Sequence, residues 1–220
     1  GCPAGYFLFQ IQRSDFLRRT VDVHQSSLDK MLAFRKKYLE GRENEPLLIL
    51  DLGSLDVNGS YRGYFEDACW TYRGIDLAAG KNVDIVLQDP YNWREIKSGS
   101  ADVVVSGQAF EHIEFFWLTM LEIARVLKPD GLCCLIAPSG GPEHRYPVDC
   151  WRFYSDGFAA LARFASLEVS EVYSQKETTG YSDGSDMWQD TVLVCRKPAL
   201  PKVSLWKKDF RNYLLRKLLG

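Results

Sequence analysis

The feature that most constrains this chain is a series of short, almost unbroken apolar runs, several of which end on an acid. Leu47–Leu50 leads into Asp51-Leu52-Gly53, Tyr72–Leu77 carries Asp76 near its end, and Val83–Leu87 is followed by Asp89-Pro90. Ala101–Ser106 centres on Val103-Val104-Val105, and Leu132–Ala137 is stopped by Pro138. Apolar runs of this length without polar alternation predict strands buried on both faces. Before the last of them, Ile113, Phe116, Trp117, Met120, Leu121, Ala124 and Leu127 recur at helical spacing until Lys128-Pro129-Asp130-Gly131 breaks the pattern. Buried strands separated by amphipathic helices predict an α/β fold, a doubly wound and mostly parallel sheet covered on both faces. Ligands of such sheets bind beyond the carboxyl ends of the strands, near the reversal of strand order, so the residues to inspect are those that follow each strand.

The remaining segments fill in the architecture. Leu28–Tyr38 has helical periodicity ended by Gly41 and Pro46; Ser155 or Asp156 is placed to cap a helix through Phe158, Leu161 and Ala162. Leu167–Tyr173 and Thr191–Cys195 read as late strands, and Gln175–Gln189 as a polar loop able to act as a lid. Val203–Leu218 sets Leu205, Trp206, Phe210, Tyr213, Leu214 and Leu218 among basic residues, predicting a helix that docks on its own domain, on a partner domain, or on a membrane surface. The expected organisation is a helical N-terminal segment (1–45), a ligand-binding domain (46–197) and a basic amphipathic C-terminal helix (198–220). The first residue is Gly1 rather than Met, as expected of a domain excised from a longer chain.

Composition narrows the function classes. A net charge of −2 and a pI near 6.0 argue against a nucleic-acid binder, which would show a basic field. Cys2, Cys69, Cys133, Cys134, Cys150 and Cys195 form no CxxC pair, so free buried thiols in a reducing, cytoplasmic compartment are expected. No apolar run approaches the ~18 residues of a membrane span, although the C-terminal helix would suit the inner membrane face.

The strand ends carry the chemistry. The first strand runs into Asp51-Leu52-Gly53-Ser54-Leu55-Asp56-Val57-Asn58-Gly59, which lacks the GxGxxG spacing of dinucleotide sites. Asp51 and Asp56 would repel a diphosphate but attract a cofactor bearing an ammonium and a sulfonium; the alternative is that Asp56 and Asn58 only shape a turn. Asp76, 25 positions after Asp51, suits the two hydroxyls of a ribose, and Asp89 suits an adenine amino group.

With these residues the chain resembles class I S-adenosylmethionine-dependent methyltransferases. The likeness spans about residues 47–196 and rests on DLGS (51–54), GID (74–76), VLQDP (86–90), ADVVVSGQAFEHIE (101–114), EIARVLKPDG (122–131) and LIAPS (135–139). Ser54 and Leu55 stand where the family usually has a GxG pair. The resemblance implies a Rossmann-like methyltransferase fold of seven strands with one antiparallel strand at an edge, and S-adenosylmethionine as cofactor. It implies Asp51, Gly53 and Ser54 along the methionine moiety, Asp76 on the ribose and Leu77 on the adenine. Asp89 would face the adenine amine, with Gln108 and Phe110 bordering the sulfonium.

An oxygen acceptor also needs a base, and histidine is the natural one near neutral pH. His24 reads as a surface residue, and His112 follows the fourth strand and borders the acceptor site. His144 lies in GGPEHRYPVDCWRFY (140–154), a segment too rich in aromatics and charge for a plain connector. His144 is the expected base, oriented by Glu143 or Asp149, with Arg145 and Arg152 gripping an anionic group and Tyr146 and Trp151 stacking on an acceptor ring. The competing reading is a capping loop packed by its own aromatics. No metal site is expected, because no pair of His or Asp residues shows ligand spacing. HRYPVDCWRFY also resembles the corresponding segment of bacterial methyltransferases of surface-polysaccharide assembly, which implies a glycan hydroxyl as acceptor. The sequence therefore reads as an O-methyltransferase acting on a glycan or another small hydroxylated acceptor. The alternatives are an inactive methyltransferase-like binding module of a larger polypeptide and a nicotinamide oxidoreductase.

Overall fold

The computed structural model describes residues 24–57, 59–145, 147–175, 180–199 and 202–219. Asn58, Tyr146, Cys2 and most of the N-terminal segment lie outside them. Seven strands form one sheet: β1 (Leu48–Leu52), β2 (Thr71–Asp76), β3 (Ile85–Val86), β4 (Ala101–Gly107), β5 (Leu127–Ala137), β6 (Glu168–Ser174) and β7 (Thr191–Arg196). Their order is β3-β2-β1-β4-β5-β7-β6, so the chain reverses direction across the sheet between β1 and β4. Gly53 and Gly107 close the two strands at that reversal, where the ligand crevice of a doubly wound sheet opens.

The apolar runs divide between two faces as a pleated strand requires. Leu50, Leu52, Val104, Cys133 and Leu135 pack into one cluster. Ile49, Val103, Val105, Cys134 and Ile136 pack into the other. The first face is covered by α2 (Phe116–Val126) and α3 (Ser155–Phe164), and the second by α1 (Gln25–Leu39) with Tyr61, Phe65 and Trp70. The connection from β1 to β2 holds only a 3₁₀ turn at Arg62–Tyr64, so aromatic side chains cover the sheet where a helix would otherwise lie.

Several expectations are corrected. The antiparallel strand is β7, which runs against both β5 and β6 and sits one place in from the edge. The Lys128-Pro129-Asp130-Gly131 breaker ends α2 but lies inside β5 as a register shift, where Asp130 takes a positive φ of 62°. Helix α3 begins after Tyr154 without a side-chain cap, because the Ser155 hydroxyl pairs with Ser174. Cys69 and Cys150 are exposed, whereas Cys133, Cys134 and Cys195 are buried free thiols. In the polar stretch after β6, Trp188 is buried, Asp183 accepts from the Gln25 amide at 2.8 Å and Ser185 from the Ser26 amide at 3.3 Å. That part of the stretch is therefore fixed to α1 rather than free to open.

Helix α4 (Lys202–Leu219) docks on its own domain. Asn212 is buried and donates to the Ala165 carbonyl at 2.9 Å, and Arg216 pairs with buried Glu122. Phe210, Tyr213, Leu214 and Leu218 stay exposed. Among the described residues no helix is long and apolar enough to cross a membrane.

Candidate active site

The crevice at the switch point is built by strand-end backbone. Gly53 has φ +77°, and a Cβ there would lie 2.6 Å from the Ala109 methyl. Its amide donates to the Ile75 carbonyl at 3.0 Å, which ties the turn after β1 to β2. Asp76 accepts the Leu55 amide at 3.1 Å on one oxygen and the Ala78 amide at 3.0 Å on the other. It is half-exposed, and Leu77 beside it is 55% exposed, an unusual position for leucine and an open apolar surface at the tip of β2. Asp89 is exposed beyond β3, with one oxygen taken by the Tyr91 amide at 2.8 Å. This rim fits an adenosine: a carboxylate with free lone pairs, an exposed apolar side chain and a second carboxylate in order along neighbouring strand tips.

Other residues expected along the cofactor face inward. Asp51 is 2% exposed and accepts a hydrogen bond from the Tyr72 hydroxyl. Burial pushes its carboxyl up to about 7 against the downward pull of that hydroxyl and of Arg62. Ser54 is buried, its hydroxyl donating to the Asn82 carbonyl at 3.3 Å. Phe110 is 1% exposed and packs edge-on against Phe153 and Phe158, so it belongs to the core. Gln108, at φ +55°, donates to Asp190 at 3.0 Å, joining a buried polar cluster with Ser26, Ser27 and Lys30 rather than lining an open crevice. Tyr61 fills the space a Gly107 side chain would take, and its hydroxyl shares a 2.7 Å hydrogen bond with Ser27.

Past β4 and β5 the acceptor-side residues separate into two groups. His112 and His144 come together, ring centroids 4.9 Å apart and edge to face, with His144 also 4.5 Å from the Trp188 ring. Asp149 accepts the His144 amide at 2.7 Å and lies 3.3 Å from Nδ1 of the same residue. Arg152 grips Asp149 through both oxygens at 2.6 and 2.8 Å, which holds that carboxyl well below the usual range. Burial lowers the His144 pKa, partly offset by Asp149. Glu143 and Arg145 instead pair with each other at 2.6 Å in solvent, so Glu143 does not orient His144. Arg152 is likewise occupied internally, and Trp151 packs on Phe116 and donates to the Glu114 carbonyl at 3.1 Å.

Sequence reasoning passed over Glu111, which lay in plain view between Phe110 and His112. It is fully buried, and neither carboxylate oxygen is hydrogen-bonded to another residue. Its Oε1 lies 3.7 Å from His112 Nε2, and burial pushes its carboxyl up to about 8. His24, read as a surface residue, packs on Trp188 at 5.2 Å, and burial lowers its pKa. A cavity of about 740 Å³ lies between the segment after β3 and α4, and its walls include neither Gly53 nor His112.

The model of a methyltransferase-domain family matches residues 50–135, from β1 into β5. No curated protein matches the chain by sequence. Among solved structures, the fold is similar to the CurJ carbon methyltransferase, at 13% identity and TM-score 0.58 over 80% of this chain and 56% of that one. This chain thus spans little more than half of that protein's length. It is also similar to 1,6-didemethyltoxoflavin-N1-methyltransferase of Burkholderia thailandensis, solved with S-adenosylhomocysteine, at 16% identity and TM-score 0.59 over 79% of each chain. A third similar fold is the [4+2]-cyclase SpnF, at 14% identity and TM-score 0.58 over 79% of this chain and 82% of that one. Taken with the strand order, these likenesses show the fold, a seven-stranded and mostly parallel Rossmann-like sheet such as these methyltransferases adopt, within which residues 50–135 match the methyltransferase-domain model.

Proposed function

We propose that this chain is an O-methyltransferase whose acceptor is a sugar hydroxyl of a glycan, with His144 as general base. The observation that carries the reading is the convergence of His144, His112 and Asp149 at the ends of β4 and β5, beside the apolar face of Trp188. S-adenosylmethionine supplies a methyl group already activated by its sulfonium, so the chain's own work is positioning and proton removal. Asp76, Leu77 and Asp89 would hold the adenosine, and the backbone turn at Gly53 would admit the methionine moiety. A neutral imidazole, favoured by burial, can accept the hydroxyl proton. Asp149, kept ionised by Arg152, then stabilises the imidazolium that forms. The Trp188 ring offers the flat surface on which sugars stack. A cytoplasmic role in surface-polysaccharide assembly is part of this proposal and follows from the likeness of the segment after β5.

The test is labelled-methyl transfer to a panel of sugars, lipids and phenols, alongside calorimetry with S-adenosylhomocysteine. His144→Ala is expected to lower turnover more than roughly tenfold while S-adenosylhomocysteine affinity holds. Unchanged turnover removes His144 from the mechanism, and absence of S-adenosylhomocysteine binding by folded protein removes the reading as a whole.

A further inference from the structure

We infer that Glu111, His112 and His144 form a binding site for one divalent first-row transition-metal ion. One carboxylate oxygen and one ring nitrogen from each histidine lie within 4.8 Å of one another. Metal bonds of about 2.0–2.2 Å would bring such atoms to about 3–3.5 Å apart, so the cluster must tighten by roughly 1 Å. His144 supplies that freedom, because it stands on a loop with its side chain 36% exposed.

Three observations point to a cation. First, the Glu111 carboxyl group is wholly buried with neither oxygen hydrogen-bonded to another residue, an arrangement that calls for either a bound proton or a positive partner, and a metal ion can replace that proton. Second, His112 Nδ1 lies 2.5 Å from the Val148 carbonyl, which can only accept. The proton is therefore on Nδ1, and the lone pair on Nε2 faces Glu111 at 3.7 Å. A backbone carbonyl fixing the tautomer in this way is the usual support of a metal-ligating histidine. Third, Asp149 stands behind His144 as an outer carboxylate, itself fixed by Arg152. Two imidazoles and one carboxylate suit manganese, iron, cobalt, nickel or zinc rather than calcium or magnesium, and three protein ligands leave a position open.

The use of that open position rests on the reading that an acceptor hydroxyl is deprotonated at this cluster. There the acceptor oxygen would coordinate, lose its proton to solvent at a lowered pKa, and form the O–C bond as the S–C bond of the methyl donor breaks. His144 would then hold the ion that acidifies the hydroxyl instead of taking the proton itself.

The test uses the tag-free full chain, stripped with chelator, titrated with Co²⁺ by visible absorption and with Mn²⁺ by electron paramagnetic resonance. One equivalent is expected to bind. Glu111→Gln and His144→Ala should each weaken binding at least roughly tenfold, and Asp149→Asn about 10–100-fold, with circular dichroism unchanged. No bound ion at millimolar metal in folded protein, or equal binding by Glu111→Gln and His144→Ala, overturns the site. Calorimetry with S-adenosylhomocysteine on the same samples separates the two proposals. Protein that binds that ligand but fails to bind Co²⁺ overturns the metal site alone, and Co²⁺ bound without affinity for that ligand upholds the site while overturning the methyltransferase reading.

Discussion

Asp51, Gly53 and Asp76 show how one residue can be tuned by its place at a strand end. Asp51 is raised to about 7 by burial, so the folded state binds its proton more tightly than the unfolded chain does. The stability this contributes is present below the ordinary carboxyl value of 3.8 and is lost as pH rises to about 7. Denaturant unfolding across that window is expected to show falling stability, and Asp51→Asn should flatten the slope; an equal slope in the variant would refute the assignment. Gly53→Ala faces both a positive φ and a 2.6 Å contact with Ala109. It should cost about 1–3 kcal/mol in urea unfolding. Asp76→Ala removes the acceptor for the Leu55 and Ala78 amides and the candidate ribose contact together. Calorimetry should show S-adenosylhomocysteine affinity falling roughly tenfold or more, in line with about 1.5–3 kcal/mol for hydrogen bonds to a charged group.

Among the elements, α2 and α4 illustrate burial that periodicity cannot reveal. Glu122 lies on the face of α2 opposite the apolar stripe and is nevertheless fully buried, met by Arg125 at 2.6 Å, by the Trp93 amide at 2.9 Å and by Arg216 of α4. Arg125 also donates to the Trp93 and Ile96 carbonyls at 2.8 and 2.9 Å, clamping the segment after β3 to the helix. Removing one partner of a buried pair costs about 3–5 kcal/mol, so Arg125→Ala should lower the denaturation midpoint far more than Arg216→Ala. Similar shifts for the two would show that α4 shares the clamp equally. The amphipathic pattern of 203–218 left three docking surfaces open, because a basic helix with scattered aromatics fits each of them. Asn212 and Arg216 decide for the chain's own domain as the seat of one helix face.

At the scale of the molecule, the legible part was whatever repeats locally. Five apolar runs, the helical stripe before Lys128 and the two late strands each carry their own period, since a strand buried on both faces must be apolar throughout. The acids at the strand ends were legible as candidate ligand-side residues, because chain direction alone puts the ends of parallel strands on one side of the sheet. The place of β7 inside the sheet, the inward turn of Asp51, Phe110 and Gln108, and the pairing of Glu143 with Arg145 depend on contacts between distant residues. So does the meeting of Glu111 and His112 with His144, which no local spacing encodes. The sequence by itself determined the strands and the mostly parallel sheet they form, since these follow from short-range patterns of burial and charge. Only the tertiary structure decided which side chains face the crevice and which the core, because that depends on how each loop packs against partners far away in the chain.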